Sequence, residues 1–424
     1  MGRPSLLLIT PESRDIHRFR RRQFNNFVQL TMPYLAGFVD EARFSLALVD
    51  EYDGPICTHR PCDLVAITVN TPNAHHCYRM AADFRARGAK VVFGGPHATL
   101  LPEEAQAYCD HLIEGEAEES WPRFLEDFLR GEARPRYRCE TPPSLAGLPH
   151  PRLDLLPRGR LAKGAVFATR GCPFRCSYCN LKQIYHPGFR TRPVGEVIAE
   201  IARLPQRHFV FWDDNLFGDV AHAKQLLRAL GPLQRRWAAQ ATLDRCADDE
   251  LLRLAHGAGC VYLFLGLESF SAASLASVNK SINAVESYAP IVRSLHRHGI
   301  SVQAGIVFGL EEDGPEVFSE TLAACEAMGI DGVTASVLCP LPRTPVHERF
   351  KAQGRLLTDD WSAYDGKTRV AFVPRHMSAQ ALLEGYTWFR REFYSVRSIA
   401  VRLARSRTNL ARNLLVNLGY RRAF

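Results

Sequence analysis

Cys172, Cys176 and Cys179 stand in the run Cys-Pro-Phe-Arg-Cys-Ser-Tyr-Cys, just after an apolar stretch, Ala165 to Thr169, and the breaker Gly171. Three thiolates so spaced suit an iron–sulfur cube, whose fourth iron then has no protein ligand. An open iron can bind a small molecule directly, whereas a fourth cysteine would favour a purely electron-carrying or structural centre. Zinc is the alternative reading. It also takes thiolates but wants four ligands, and His186 is the nearby residue that could complete the set. The sequence beyond the cysteines reads as a barrel and not as a small zinc knuckle, which favours the cube.

The cysteines need elements to position them. Six β-rich runs follow from Gly164 to about Leu338: Ala165–Thr169, His208–Trp212, Trp237–Thr242, Val261–Leu267, Ser301–Phe308 and Gly332–Leu338. Helical patterns separate them, so they predict a partial barrel of six β/α units with its reacting groups at the carboxyl ends of the strands. Polar or small residues stand at those ends: Asp213, Asp214 and Asn215, then Gln240 and Thr242, Glu268 and Ser269, Gly305, and Cys339. Asp214 and Ser269 would serve equally well as caps of following helices.

Residues 1–130 alternate strand-like runs (Leu6–Thr10, Phe44–Val49, Leu64–Val69, Lys90–Phe93) with helical pattern, which predicts an open parallel sheet. Three loops follow strand ends: residues 68–72 with Thr68, Asn70 and Thr71; Gly94, Gly95, Pro96 and His97; and Gly115 with Glu116. Glycine there permits close approach of the backbone to a ligand. Residues 131–163, with Pro135, Pro142, Pro143, Pro149, Pro151 and Pro157, read as a linker. The expected division is a first domain at 1–130, the linker, a barrel at 164–345 and a helical segment at 346–424.

The cysteine spacing with Tyr178 before its last member resembles the radical S-adenosylmethionine (radical SAM) superfamily. The glycine loops of the first segment resemble the cobalamin-binding domain that precedes many such barrels. The resemblance implies an α/β chain: a Rossmann-like open parallel sheet that binds cobalamin, then a partial (β/α)6 TIM-like barrel and a mostly helical C-terminal segment. It implies a 4Fe-4S cluster held by Cys172, Cys176 and Cys179, with SAM chelated at the open iron. Tyr178, Asp214, Asn215, Gln240, Glu268, Ser269 and Gly305 would surround SAM, Asp214 and Asn215 accepting from its ammonium and Glu268 from its ribose. The second-strand residues depart from the commoner Gly-Gly-Glu form. Thr68, Asn70, Thr71, Gly94, Gly95, Pro96, His97, Gly115 and Glu116 would cradle cobalamin. His97 lacks the Asp-x-His-x-x-Gly context of a cobalt ligand and reads as a loop residue near the corrin. Cys339 could donate a hydrogen atom to a substrate radical. The implied activity is C-methyl transfer from methylcobalamin to an unactivated carbon of a natural-product or lipid-like substrate, by way of a 5′-deoxyadenosyl radical. A cyclase or rearrangement without methyl transfer is the alternative, and an RNA-modifying enzyme a further one. An external electron donor such as flavodoxin or ferredoxin would reduce the cluster.

Composition bounds the rest. The 424 residues are 46% hydrophobic and 23% charged, as expected of a folded chain of two or three domains. Twelve cysteines in so long a chain suit a reducing cytoplasm. No apolar run reaches the roughly 18–20 residues that span a bilayer, and the N-terminus reads as a first strand. Cys57, Cys62, Cys77 and Cys109 lack the spacing of a second cluster. Of the net charge of +8, the tail supplies most: Arg397, Arg402, Arg405, Arg407, Arg412, Arg421 and Arg422, with no acid from 397 onward. The remainder is close to neutral, so no nucleic-acid partner is expected. Ile399, Leu403, Leu410, Leu414 and Leu418 fall near one helical face, expected to dock on the barrel, with an anionic partner or peripheral contact with an anionic membrane as alternatives.

Overall fold

The computed structural model describes residues 2–12, 28–157, 164–280 and 282–422; the parts of the expected domains, linker and tail at 1, 13–27, 158–163, 281 and 423–424 lie outside the described residues. The first sheet holds β1 (Ser5–Thr10), β2 (Ser45–Asp50), β3 (Leu64–Thr68), β4 (Lys90–Gly94), β5 (His111–Glu114) and β6 (Arg136–Arg138), in the order β2-β1-β3-β4-β5-β6. All neighbours are parallel. Alternation along a strand sends successive side chains to opposite faces. Leu7, Ile9, Val65 and Ile67 therefore enter one core layer, and Leu6, Leu8, Leu64 and Ala66 the other. With both faces covered, these strands read as continuous apolar runs. Strand order reverses beside β1, which opens a crevice at the carboxyl ends of β1 and β3, the usual ligand position in such sheets. The stretch read as a linker begins with β6, a short polar edge strand.

The second sheet holds β7 (Gly164–Val166), β10 (His208–Phe211), β11 (Arg236–Ala241), β12 (Cys260–Glu268), β13 (Ser301–Phe308) and β14 (Gly332–Val337). Each lies beside its predecessor and parallel to it, the winding of an incomplete barrel. Helices pack outside, burying Val197, Ile201, Leu226 and Leu252 against the strands. Between β7 and β10 the chain makes an antiparallel ribbon, β8 (Thr169–Arg170) with β9 (Arg190–Thr191), and the cysteine loop is the excursion between its strands.

Beyond the barrel come helices Pro345–Ala352, Ala379–Phe393, Val396–Ser406 and Leu410–Arg421. Phe389, Phe393 and Tyr394 extend the barrel core, whereas Trp388 is exposed. The last helix corrects the expectation for the tail. It buries Asn413, Asn417 and Gly419, while Leu410, Leu414, Leu415 and Leu418 face outward. Among the described residues no helix is long and apolar enough to cross a membrane.

Candidate active site

The cysteine loop is pinned from three sides. Ser177 N donates to Val278 O (2.9 Å) and Val346 N to Ser177 O (3.1 Å), while Cys179 N closes a turn on Cys176 O (3.1 Å). All three thiols are half-buried and free. Burial pushes Cys176 up and Cys179 up to about 11, so forming thiolates here depends on a nearby cation, which an iron–sulfur core supplies. Among the described residues no three His, Cys, Asp or Glu side chains converge as a single metal ion would need. A cube makes no such demand, because each thiolate takes a different iron. His186 contributes its backbone N–H, not its ring, to Glu116 Oε2 (3.2 Å).

The neighbouring strand ends are strapped in place. After β10, Asp213 is fully buried and accepts from Ala168 N (3.1 Å) and from both the N–H and the hydroxyl of Thr169. It holds the entry to the cysteine loop, whereas the sequence placed it among the strand-end acceptors for the ammonium of SAM. Burial pushes its carboxyl up to about 7 against the pull of those donors. With a folded value above the unfolded one, the native chain holds the extra proton between roughly pH 4 and 7, so stability falls as pH rises through that window. Urea midpoints at pH 5 and pH 8 will show the fall, and Asp213→Asn will flatten it.

Asp214 accepts from Gly171 N (3.2 Å). Asn215 Nδ2 lies 4.0 Å from Cys172 Sγ and 3.4 Å from Thr242 Oγ1, while its Oδ1 is buried and accepts no hydrogen bond. Gln240 is half-buried on β11 and pairs with Phe264 of β12, its backbone O also accepting from Leu216 N (2.9 Å).

Glu268 is the centre of the strand-end chemistry. It sits at a β-bulge against β13 with φ 65°. Asn283 Nδ2 donates to Gly266 O (2.8 Å) and Leu267 O (3.0 Å), and Tyr288 OH to Leu267 O (2.9 Å), which lock that turn. Lys280 Nζ donates to Glu268 Oε1 (3.2 Å), both side chains being buried. Burial would lower Lys280, but Glu268 and the cysteines hold it above the usual lysine value. Burial, and then the nearby Glu268 carboxylate, push the Tyr178 phenol up. Sequence reasoning missed Lys280, whose partner lies twelve residues away at the strand end. Gly266 and Gly305 face each other across the strands, and a Cβ on Gly305 would lie 2.8 Å from Phe264 Cζ. Ser269 Oγ accepts from Ser271 N (3.1 Å), capping the turn after β12.

The loops of the first sheet face the barrel. Gly95 has φ 94°, and a Cβ there would fall 2.6 Å from Thr68 Oγ1 and 2.9 Å from Val69 N. Gly95→Val is expected to cost ~1–3 kcal/mol and to strip cobalamin from the protein, read by denaturant midpoint and by cobalt content. Gly115 N donates to Thr99 Oγ1 (2.9 Å). Two expectations change. His97 is no loop residue; it lies in the short helix Pro96–Leu100, fully buried. Its ring is 3.3 Å from Thr71 Oγ1 and 3.0 Å from Tyr78 OH, and it lines neither cavity described below. Burial of a ring with partners at Thr71, Tyr78 and Glu104 decided its place. Glu116 borders a cavity but is committed to protein: Arg170 Nη1 donates to it (2.9 Å), as does Arg190 Nη2. Arg170 also pairs with Glu118, to which Tyr34 OH donates (3.5 Å). Burial acts against the Glu116 charge, yet Arg190 and Arg170 hold its carboxyl below the ordinary value.

Two cavities meet at this interface. One of about 330 Å³ lies among Gly94, Gly95, Gly115, Trp121, Phe167 and Asp214. The other, about 600 Å³, runs from Thr10, Asn70 and Asn73 to Tyr178, Cys339 and Tyr364. They share Gln29, Thr31, Thr68 and Pro96 in their walls, so they lie side by side. Cys339 Sγ donates to Tyr364 O (3.1 Å), which engages its hydrogen at the cavity wall. The residues fit the groups the sequence implied. Three thiols on one loop suit a cube, the bare Asn215 Oδ1 suits an ammonium donor, and glycines leave room beside an apolar cavity for a large flat ring.

Comparison with known proteins agrees with this geometry. The Radical SAM superfamily pattern matches residues 166–325, the B12 binding domain residues 30–125, and a Domain of unknown function (DUF4070) residues 344–417. The chain is 31% identical over 360 residues to a bacteriochlorophyllide d C-12(1)-methyltransferase of Chlorobaculum tepidum, covering 80% of this chain and 76% of that one. To the hopanoid C-2 methylase of Rhodopseudomonas palustris it is 28% identical over 318 residues, 72% of this chain and 59% of the relative. The fold is similar to that of the radical SAM methyltransferase TsrM from Kitasatospora setae, solved with cobalamin and a [4Fe-4S] cluster, with a TM-score of 0.67 at 18% identity, covering 83% of this chain and 78% of that one. A cysteine loop at a barrel mouth, facing a glycine-lined sheet edge across a shared cavity, is thus accounted for: the chain belongs to the cobalamin-dependent radical SAM enzymes, whose cofactors are a 4Fe-4S cluster, S-adenosylmethionine and cobalamin.

Proposed function

We propose that the enzyme is a C-methyltransferase acting on an unactivated carbon of a largely hydrophobic, natural-product or lipid-like substrate. The observation that carries this reading is the shared space: the larger cavity touches Tyr178 of the cysteine loop on one side and Thr68, Asn70 and Pro96 of the first sheet on the other. When bound, the cluster with SAM supplies a 5′-deoxyadenosyl radical for hydrogen abstraction, and cobalamin supplies the methyl group. Cys172, Cys176 and Cys179 hold the cluster. Asn215 accepts from the SAM ammonium, Glu268 with Lys280 and Tyr178 fixes the ribose side, and Gly305 gives adenine its room. Thr68, Gly94, Gly95, Pro96 and Gly115 form the cobalamin cradle. Val307, Val337, Leu338 and Leu341 give the substrate region an apolar wall that excludes water. The relatives named for bacteriochlorophyllide and hopanoid support a bulky apolar substrate. Cys339 stands in that wall with its S–H engaged by Tyr364 O, which holds it back from competing with methyl capture; in a reaction without methyl transfer it would be the candidate hydrogen donor. Two partners follow: a low-potential electron donor of the flavodoxin or ferredoxin type, and a membrane surface on which a lipid-like substrate would be met.

The test is anaerobic reconstitution with iron, sulfide, cobalamin and methyl-labelled SAM, followed by screening of apolar candidates by mass spectrometry. Product carrying the label is expected. Consumption of substrate with deoxyadenosine but no label transfer would replace methyl transfer by cyclisation or rearrangement.

A further inference from the structure

We propose that the outward face of the last helix docks on an anionic lipid bilayer. Helix Leu410–Arg421 is turned opposite to the usual amphipathic arrangement. Its inner face is polar, and both of its buried amides donate hydrogen bonds to the barrel. Asn413 Nδ2 donates to Ser301 Oγ (3.0 Å), Asp331 Oδ1 (2.6 Å) and Thr408 O (2.7 Å). Asn417 Nδ2 donates to Asp331 O (2.8 Å), and Asn417 Oδ1 accepts from the buried Arg402 Nη2 (2.9 Å). Rotating the helix to bury its leucines would break all of these bonds and strand buried donors and acceptors. The polar network therefore fixes the leucines outside.

Their exposures are large: Leu415 65%, Leu410 49%, Leu414 44% and Leu418 37%. Spacings of three and four residues align them as one stripe, and Arg422 continues it four residues past Leu418. Arg397, Arg405, Arg407, Arg421 and Arg422 are exposed on the last two helices and the turns that flank them, and no acid occurs from 393 onward. An apolar stripe bordered by arginines, none of which forms a salt bridge among the described residues, complements an anionic headgroup layer over a hydrocarbon edge. A second copy of this chain is a poorer occupant, because a symmetric contact would set like-charged arginines against each other.

The proposal rests on the membrane partner named above and adds the surface and the lipid charge. Its test involves no turnover, so its failure leaves the methyl-transfer reading standing. The reconstituted holoprotein would be floated with vesicles of phosphatidylcholine alone and with phosphatidylglycerol added. Flotation is expected with the anionic vesicles, about tenfold above the neutral ones. It should fall about as far for Leu414→Ser/Leu415→Ser and for Arg397→Glu/Arg422→Glu, with iron and cobalt content unchanged. No flotation, or flotation indifferent to phosphatidylglycerol and to both variants, would overturn the proposal. So would a dimer in light scattering that the leucine variant dissolves, which would assign the face to a second copy.

Discussion

Cys176→Ala is expected to leave a folded chain that still binds cobalamin but holds no intact cluster, and SAM cleavage should drop below detection. The cysteine loop is anchored by Ser177 N, Ser177 O and the turn at Cys179, none of which uses the Cys176 thiol. The fold therefore survives while the donor set falls from three to two. Iron and sulfide per chain, the cluster absorption band and deoxyadenosine yield are the readouts, with cobalt content as the internal control. Equal effects are expected for Cys172→Ala and Cys179→Ala. Retention of a full cluster in any of the three would refute the assignment.

Lys280→Met carries the second large effect. It leaves the buried Glu268 carboxylate without its cation, and breaking such a pair costs ~3–5 kcal/mol. The denaturant midpoint should fall accordingly, and SAM affinity with it, as measured on the cluster-loaded protein by equilibrium binding. The double variant Glu268→Gln/Lys280→Met removes both charges. It should recover most of the stability while leaving SAM binding impaired, a pattern that separates a buried pair serving the site from one that merely holds the strand end. Recovery of both properties together would make the pair structural.

The barrel and most of the first sheet were legible because apolar β-rich runs and helical periods differ plainly in sequence; β12 and β13 fall within a residue of their expected spans. β6 was not, since a three-residue polar edge strand, Arg-Tyr-Arg, has neither alternation nor apolar length to announce it. The cysteine loop was legible because ligand spacing is local. Lys280, Arg170 and Arg190 were not, because their meaning lies in carboxylates more than ten residues away, and pairing across that distance leaves no trace in a linear pattern. His97 was misplaced for a related reason: a Gly-Gly-Pro context announces the turn but not the Thr71 and Tyr78 side chains waiting beneath it. The last helix was inverted because leucines at helical spacing are ordinarily core, and only the partners of Asn413 and Asn417 show that amides took that role.

The carboxylates of Glu116 and Glu118, beyond β5 of the first sheet, and the guanidinium groups of Arg170 and Arg190, on the ribbon that carries the cysteine loop, neutralise one another out of water. Such a weld constrains how this lineage can recombine. A chimera that borrowed only its first sheet from a cousin lacking either acid would strand a cation at the seam, so module exchange here demands that both sides of the joint travel together.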